Sequence, residues 1–110
     1  IYPASGTGAW EAALCNTLSP GDKVLMVETG QFAVLWQQMA DRLGLIPDVI
    51  ATDWRIAVDA NQIEAKLRAD KGHSIKAVCV VHNETSTGCC TRLDEVRKAI
   101  DAAGHPALYM

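Results

Sequence analysis

Basic clusters are missing from this sequence, and so are long apolar runs, C-x-x-C pairs and most aromatics. Lysine and arginine total 10 against 13 acidic residues, for a net charge of −3. They are scattered along the chain, which argues against nucleic acid or an acidic membrane surface as a partner. One phenylalanine, two tyrosines and three tryptophans make up the aromatic content. None is interleaved with basic residues as on a base-stacking platform. The longest apolar runs, such as Ala77-Val78-Cys79-Val80-Val81, fall far short of the roughly 20 residues of a membrane span, and no signal-like segment is present.

The four cysteines are Cys15, Cys79, Cys89 and Cys90. They form no C-x-x-C and stand at no zinc-ligand spacing, so no metal site is expected. Cys15 in a helical pattern and Cys79 in a β run read as core thiols. Cys89-Cys90 reads as an unbridged pair, because adjacent cysteines bridge only with strain. A redox pair or a pair of metal ligands is the other reading. Unpaired thiols point to a reducing, cytoplasmic setting. Two phosphate motifs are absent as well. There is no G-x-x-x-x-G-K-[ST] and no G-x-G-x-x-G; Gly6-Thr7-Gly8 supplies only the first half of the latter.

What is present is a core-forming composition: 49% of residues are hydrophobic and 21% charged, as in a folded domain. Helix and strand patterns alternate. A helix is expected from about Gly8 to Leu18, with Glu11 in its first turn. The turn Ser19-Pro20-Gly21-Asp22 stops it. Lys23 to Glu28 is a nearly continuous apolar strand, as in a parallel sheet buried on both faces. A helix follows from Phe32 to Arg42, with Phe32, Leu35, Met39 and Leu43 (and Trp36) on one face. Ile46 to Ala51 reads as a strand made irregular or edge-like by Pro47. Thr52 to Val58 is irregular.

Asp59 caps a helix to about Ala69, and Ser74 to Val81 is the clearest strand. His82 to Gly88 is a polar loop, Leu93 to Ala103 a helix, and Ala107 to Met110 the start of a strand. Ile1 to Ala4 leads in as an extended segment, since Pro3 disfavours helix at Tyr2. This alternation predicts an α/β fold with a mostly parallel sheet. The chain begins at Ile1, not methionine, and stops in a strand-like run. It is therefore expected to be a piece of a longer protein, cut at both ends.

The stretch Ser5-Gly6-Thr7-Gly8-Ala9-Trp10-Glu11 puts small and hydroxyl residues just before a helix. Free N–H groups and the positive end of the helix dipole suit a phosphate there. Plain helix capping is the competing reading. In parallel sheets ligands sit beyond the carboxyl ends of the strands. The loops Thr29-Gly30-Gln31 and His82 to Gly88 occupy that kind of position. A helix N-terminus with hydroxyls, an aromatic opening a second helix and a hydroxyl-rich strand-end loop together suit pyridoxal phosphate. Phe32 also reads as a core residue of its helix, and Thr85 to Thr87 as a self-satisfied turn.

Four segments in order carry a family resemblance: Ser5 to Leu14, Ser19 to Leu25, Glu28 to Ala33, and His82 to Gly88. Together they resemble the class V aminotransferases, and within them the serine–glyoxylate and alanine–glyoxylate group. The resemblance covers nearly the whole chain. It implies fold type I: a large three-layer αβα domain binding pyridoxal phosphate, of which residues 1–110 form part, a smaller second domain, and a homodimer. It implies that Ser5, Gly6 and Thr7 hold the cofactor phosphate, that Phe32 stacks on the pyridine ring, and that Thr85 hydrogen-bonds near the phenolic oxygen.

The implied reaction moves an amino group from a small amino acid (serine or alanine) to glyoxylate or another 2-oxo acid. No catalytic residue of the family falls inside the chain. Lys23, Lys66, Lys71, Lys76 and Lys98 do not match the Schiff-base lysine motif, and the aspartate that pairs with the pyridinium nitrogen is expected just after the strand beginning at Ala107. The 110 residues alone are thus expected to be inactive. Cys89-Cys90 departs from the small or β-branched residues usual at that turn. The alternatives are another class V enzyme such as a cysteine desulfurase, or a nucleotide-binding α/β module without catalysis.

Overall fold

The computed structural model describes residues 3–110; the extended reading of Ile1 and Tyr2 lies outside the described residues. The elements are α1 (Gly6–Thr17), β1 (Lys23–Glu28), α2 (Gln31–Arg42), β2 (Ile46–Ala51), α3 (Ala60–Ala69), β3 (Ile75–Cys79), β4 (Asn83–Glu84), β5 (Cys89–Cys90), α4 (Leu93–Ala103) and β6 (Leu108–Tyr109). Four strands form one sheet in the order β2-β1-β3-β6. Every pairing in it is parallel, as the alternating helix and strand pattern predicts. β4 and β5 form a separate antiparallel ribbon.

The period of two in β1 divides the core. Val24 and Met26 face a cluster with Leu14 of α1 and Ala33, Trp36 and Ala40 of α2. Leu25 and Val27 face the opposite cluster, with Ile63 and Leu67 of α3 and Val96 and Ile100 of α4. Helices thus cover both faces of the sheet, giving the expected αβα layers. β1 is buried on both sides because it is an inner strand. Pro47 sits in β2 at the border of the sheet, where a missing N–H costs no ladder bond. α3 starts at Asp59, whose carboxylate accepts from the Asn61 N–H at 2.9 Å. α4 ends on Gly104 with φ of 62°, the left-handed cap that glycine favours.

Several expectations are corrected. α1 begins at Gly6, two residues early, so Gly6 and Thr7 belong to its first turn and Glu11 lies beyond that turn. On α2, Trp36 is buried and Met39 and Leu43 pack against the same cluster, as expected, but Ala33 and Ala40 complete the buried stripe while Phe32 and Leu35 are exposed. The segment after β3 is a ribbon closed by the turn Thr85–Gly88, not a plain loop. Leu108 is exposed because β6 borders the described sheet.

The thiols split. Cys79 is buried in β3, and burial pushes its pKa up to about 12. Cys15 lies on the exposed face of α1 instead of in the core, and all four cysteines are free. A small maleimide is therefore expected to modify Cys15 and Cys90 in the native protein and Cys79 only after unfolding, because the reactive species is an accessible thiolate. Peptide mass mapping of native against urea-treated samples checks this. Prompt labelling of native Cys79 would contradict the described packing.

Candidate functional site

The strand order reverses direction between β1 and β3: the chain passes from β1 outward to β2, then crosses back to β3 on the other side. Such a reversal opens a crevice at the carboxyl ends of the two strands. Here it is a cavity of about 270 Å³ lined by Ser5, Gly6, Thr7, Trp10, Phe32, Val81, Asn83 and Thr85. All five residues singled out from the sequence, Ser5, Gly6, Thr7, Phe32 and Thr85, lie on its wall. They arrive from three separate segments, the start of α1, the start of α2 and the β4–β5 turn.

Two helices start near this crevice, and their first turns are treated differently. Ser5 is the N-cap of α1, yet its side chain makes no capping hydrogen bond. Its carbonyl accepts from Gly8 and Ala9. The Gly6 and Thr7 amides, being first-turn donors, have no intrahelical acceptor. Nothing lies within 4 Å of where a Gly6 side chain would start. This leaves N–H groups, two hydroxyls and the positive helix end together at one wall.

α2 starts at Gly30, which carries no side chain to cap with, and the ribbon supplies the cap. The Gln31 N–H donates to Ser86 Oγ at 2.9 Å. The Phe32 and Ala33 amides donate to the two Glu84 carboxylate oxygens at 3.4 and 3.0 Å. Ser86 donates to the same carboxylate from its N–H at 3.2 Å and its hydroxyl at 2.7 Å. The Thr87 hydroxyl adds a bond to the Thr29 carbonyl at 3.1 Å. Glu84 is only 1% exposed. Burial works to raise its pKa, but the hydrogen bonds from Ser86, Ala33 and Phe32 outweigh burial and hold it below the usual carboxylate range. Glu84 is therefore an anion inside the fold, placed on the positive end of α2.

Gly30 makes this approach possible. A Cβ there would stand 2.5 Å from Glu84 Cγ and from Ser86 Oγ. The remaining wall is aromatic: Trp10 lines the cavity and stacks on Trp36 with ring centroids 5.0 Å apart. Trp10 thus serves both the cavity wall and the core cluster around Trp36. The geometry gives Glu84 a supporting role, holding the ribbon to the start of α2. Ser86 and Asn83 were missed. The signal was there in part: a helix opening on Gly30 lacks its own cap, and a carboxylate amid Thr-Ser-Thr is a natural donor-rich partner. His82 is absent from the cavity wall and offers its carbonyl to the Thr91 N–H at 2.7 Å. No group of three or more metal-ligating side chains occurs among the described residues, and no described helix is long and apolar enough to cross a membrane.

Fold and crevice together define a three-layer α/β domain with an uncapped helix start at its topological switch point. The class-V aminotransferase family matches residues 1–108, and the chain belongs to that family. Pyridoxal phosphate is the cofactor that goes with it. The chain is 59% identical over 108 residues to serine–glyoxylate aminotransferase of Methylorubrum extorquens, covering 98% of this chain and 27% of that protein. It is 44% identical over 110 residues to the Arabidopsis thaliana serine–glyoxylate aminotransferase, again covering 27% of it. Among solved structures, alanine–glyoxylate aminotransferase from Nostoc superposes with a TM-score of 0.81 at 30% identity, over 96% of this chain and 27% of that one. The chain thus spans about a quarter of the length of these relatives.

Proposed function

We propose that this segment is the cofactor-phosphate and ring-facing part of the large domain of a pyridoxal-phosphate transaminase. In the whole protein it would serve amino transfer from serine, or another small amino acid, to glyoxylate. The observation that supports it best is the contrast between the two helix starts: that of α2 is filled by Glu84, that of α1 is uncapped and faces the cavity. The donor set fits the cofactor. A phosphate suits Ser5 and the Gly6 and Thr7 amides, and a flat ring suits the half-exposed Phe32. A short hydroxyl at Thr85 suits a ring oxygen. The cavity, just under the roughly 300 Å³ lower bound of sites for drug-sized ligands, suits one small aromatic phosphate better than a dinucleotide.

When bound, the cofactor supplies an electron sink for the amino acid. Ser5, Gly6 and Thr7 bind its charge and Phe32 fixes its plane. Thr85 donates one orienting hydrogen bond. The lysine and aspartate of the family's chemistry belong to the rest of the protein, as does the homodimer. A cytoplasmic setting is favoured by four unpaired thiols.

The full-length protein carrying this chain is expected to turn over serine with glyoxylate. Ser5→Ala and Phe32→Ala are each expected to weaken pyridoxal phosphate binding about tenfold, the effect of losing one charge-assisted hydrogen bond or one ring contact. Cofactor titration followed by absorbance, alongside the transamination assay, checks both. Alanine formation from cysteine in place of transamination would move the reading to the desulfurase branch. Tighter binding of a nucleotide than of pyridoxal phosphate would favour the non-catalytic module.

A further inference from the structure

We propose that Glu84 is a positioning residue for the cofactor, acting through the α2 backbone without touching the ligand. This rests on the proposed function, since it concerns what the cavity holds. Glu84 is absent from the cavity wall, whereas its neighbour Thr85 and its hydrogen-bond partner Phe32 are both on it. One buried carboxylate therefore ties the aromatic wall to the hydroxyl wall. It does so across 51 positions of sequence to Ala33 and 52 to Phe32.

The arrangement has a second effect. An uncapped α2 would offer another positive helix end in the same crevice. With Glu84 seated there, an incoming phosphate meets a fixed negative charge at α2 and a free set of donors at α1. Glu84 thereby assigns the phosphate to one end of the cavity and fixes which way the ring points. The hydrogen bonds from Ser86 keep the carboxylate in place and oriented toward the helix.

The test uses the full-length protein and three readouts: pyridoxal phosphate affinity, competition by inorganic phosphate, and amide exchange at Gln31, Phe32 and Ala33. Glu84→Gln keeps the shape but replaces one acceptor oxygen by a donor facing N–H groups. It is expected to speed exchange at those amides and to weaken pyridoxal phosphate about tenfold, as losing a charge-assisted hydrogen bond would. The inhibition constant of inorganic phosphate, set at α1, should stay within about twofold.

Ser5→Ala should weaken both ligands. Ser86→Ala, a milder change on an exposed residue, should shift pyridoxal phosphate in the same direction by about threefold. It serves where Glu84→Gln fails to fold. Faster exchange with unchanged pyridoxal phosphate affinity in both variants would reduce Glu84 to a purely structural cap and overturn the proposal. Equal weakening of phosphate and pyridoxal phosphate in Glu84→Gln would also overturn it. Failure of the wild-type protein to bind pyridoxal phosphate would instead strike the functional reading, and unchanged amide exchange would strike the capping role on its own.

Discussion

Replacing Gly30 by alanine is expected to cost roughly 2–4 kcal/mol of stability, the sum of overpacking a closed site and unseating hydrogen bonds to a buried carboxylate. The backbone is not the obstacle. Gly30 has φ of 166° and ψ of −168°, an extended conformation open to any residue. The obstacle is space: the new Cβ would stand 2.5 Å from Glu84 Cγ and 2.6 Å from its carboxyl carbon. A flexible surface side chain would swing away. Glu84 is buried and held by amides of α2 and by Ser86, so it moves only by breaking those bonds. Urea unfolding of Gly30→Ala beside wild type measures the cost. Cofactor titration should show binding weakened by the same displacement. Because Gly30 and Glu84 share one set of contacts, Gly30→Ala combined with Glu84→Gln should cost less than the two separate effects added together. A wild-type midpoint for Gly30→Ala would refute the described packing.

The second large effect lies at the opposite end of the sheet. Asp70, just after α3, accepts from the Ile75 N–H at 2.7 Å and from the Ser74 hydroxyl at 2.7 Å. His105 Nε2 lies 3.2 Å from the same carboxylate, and its side chain is 1% exposed. His105 Nδ1 accepts from the Ala107 N–H at 3.1 Å, which assigns the proton to Nε2 and makes it the donor to Asp70. The carboxylate thus joins α3 to the starts of β3 and β6. Asp70→Ala strands these donors and is expected to cost roughly 2–4 kcal/mol, the usual range for buried donors losing a charged acceptor.

The pH dependence follows from the direction of the shift. Burial acts to raise the pKa of Asp70, but hydrogen bonds from Ile75, Ser74 and His105 prevail and hold it far below its ordinary 3.8. A carboxylate depressed in the folded state contributes stability that is full above its unfolded pKa. That stability is lost as pH falls from there toward the folded value. The gap between wild type and Asp70→Asn should therefore be constant at pH 5 to 7 and narrow below about pH 4. Urea midpoints across that range check it, and a gap that grew in acid would refute the assignment.

The layers were legible because β1 and β3 are short and apolar, while the intervening helices carry caps and stops such as Asp59 and Gly104. α2 was legible as a helix but not fully in its orientation. Trp36 was placed correctly, but spacing alone does not decide whether Phe32 and Leu35 or Ala33 and Ala40 share its buried side, and the structure buries the alanines. Cys15 misled for a related reason: α1 buries one side chain fully, Leu14, so a helical position there predicts little about burial. The candidate site was legible where local chemistry speaks, at Ser5-Gly6-Thr7. Its support was not, because Glu84 acts on amides some 50 positions away and no local pattern states that pairing.

The same separation orders events during synthesis. Among the described residues the main sheet contains no hairpin, since all of its pairings are parallel, and each strand must wait for a connection to cross back. The bond from Gln31 to Ser86 spans 55 positions. At ribosomal rates of about 5–20 residues per second, the start of α2 precedes its own cap by about 3–11 s. During that interval the α2 amides are unpaired and the Phe32 ring has no fixed place. The cavity wall is complete only once the ribbon has been made and folded back onto α2.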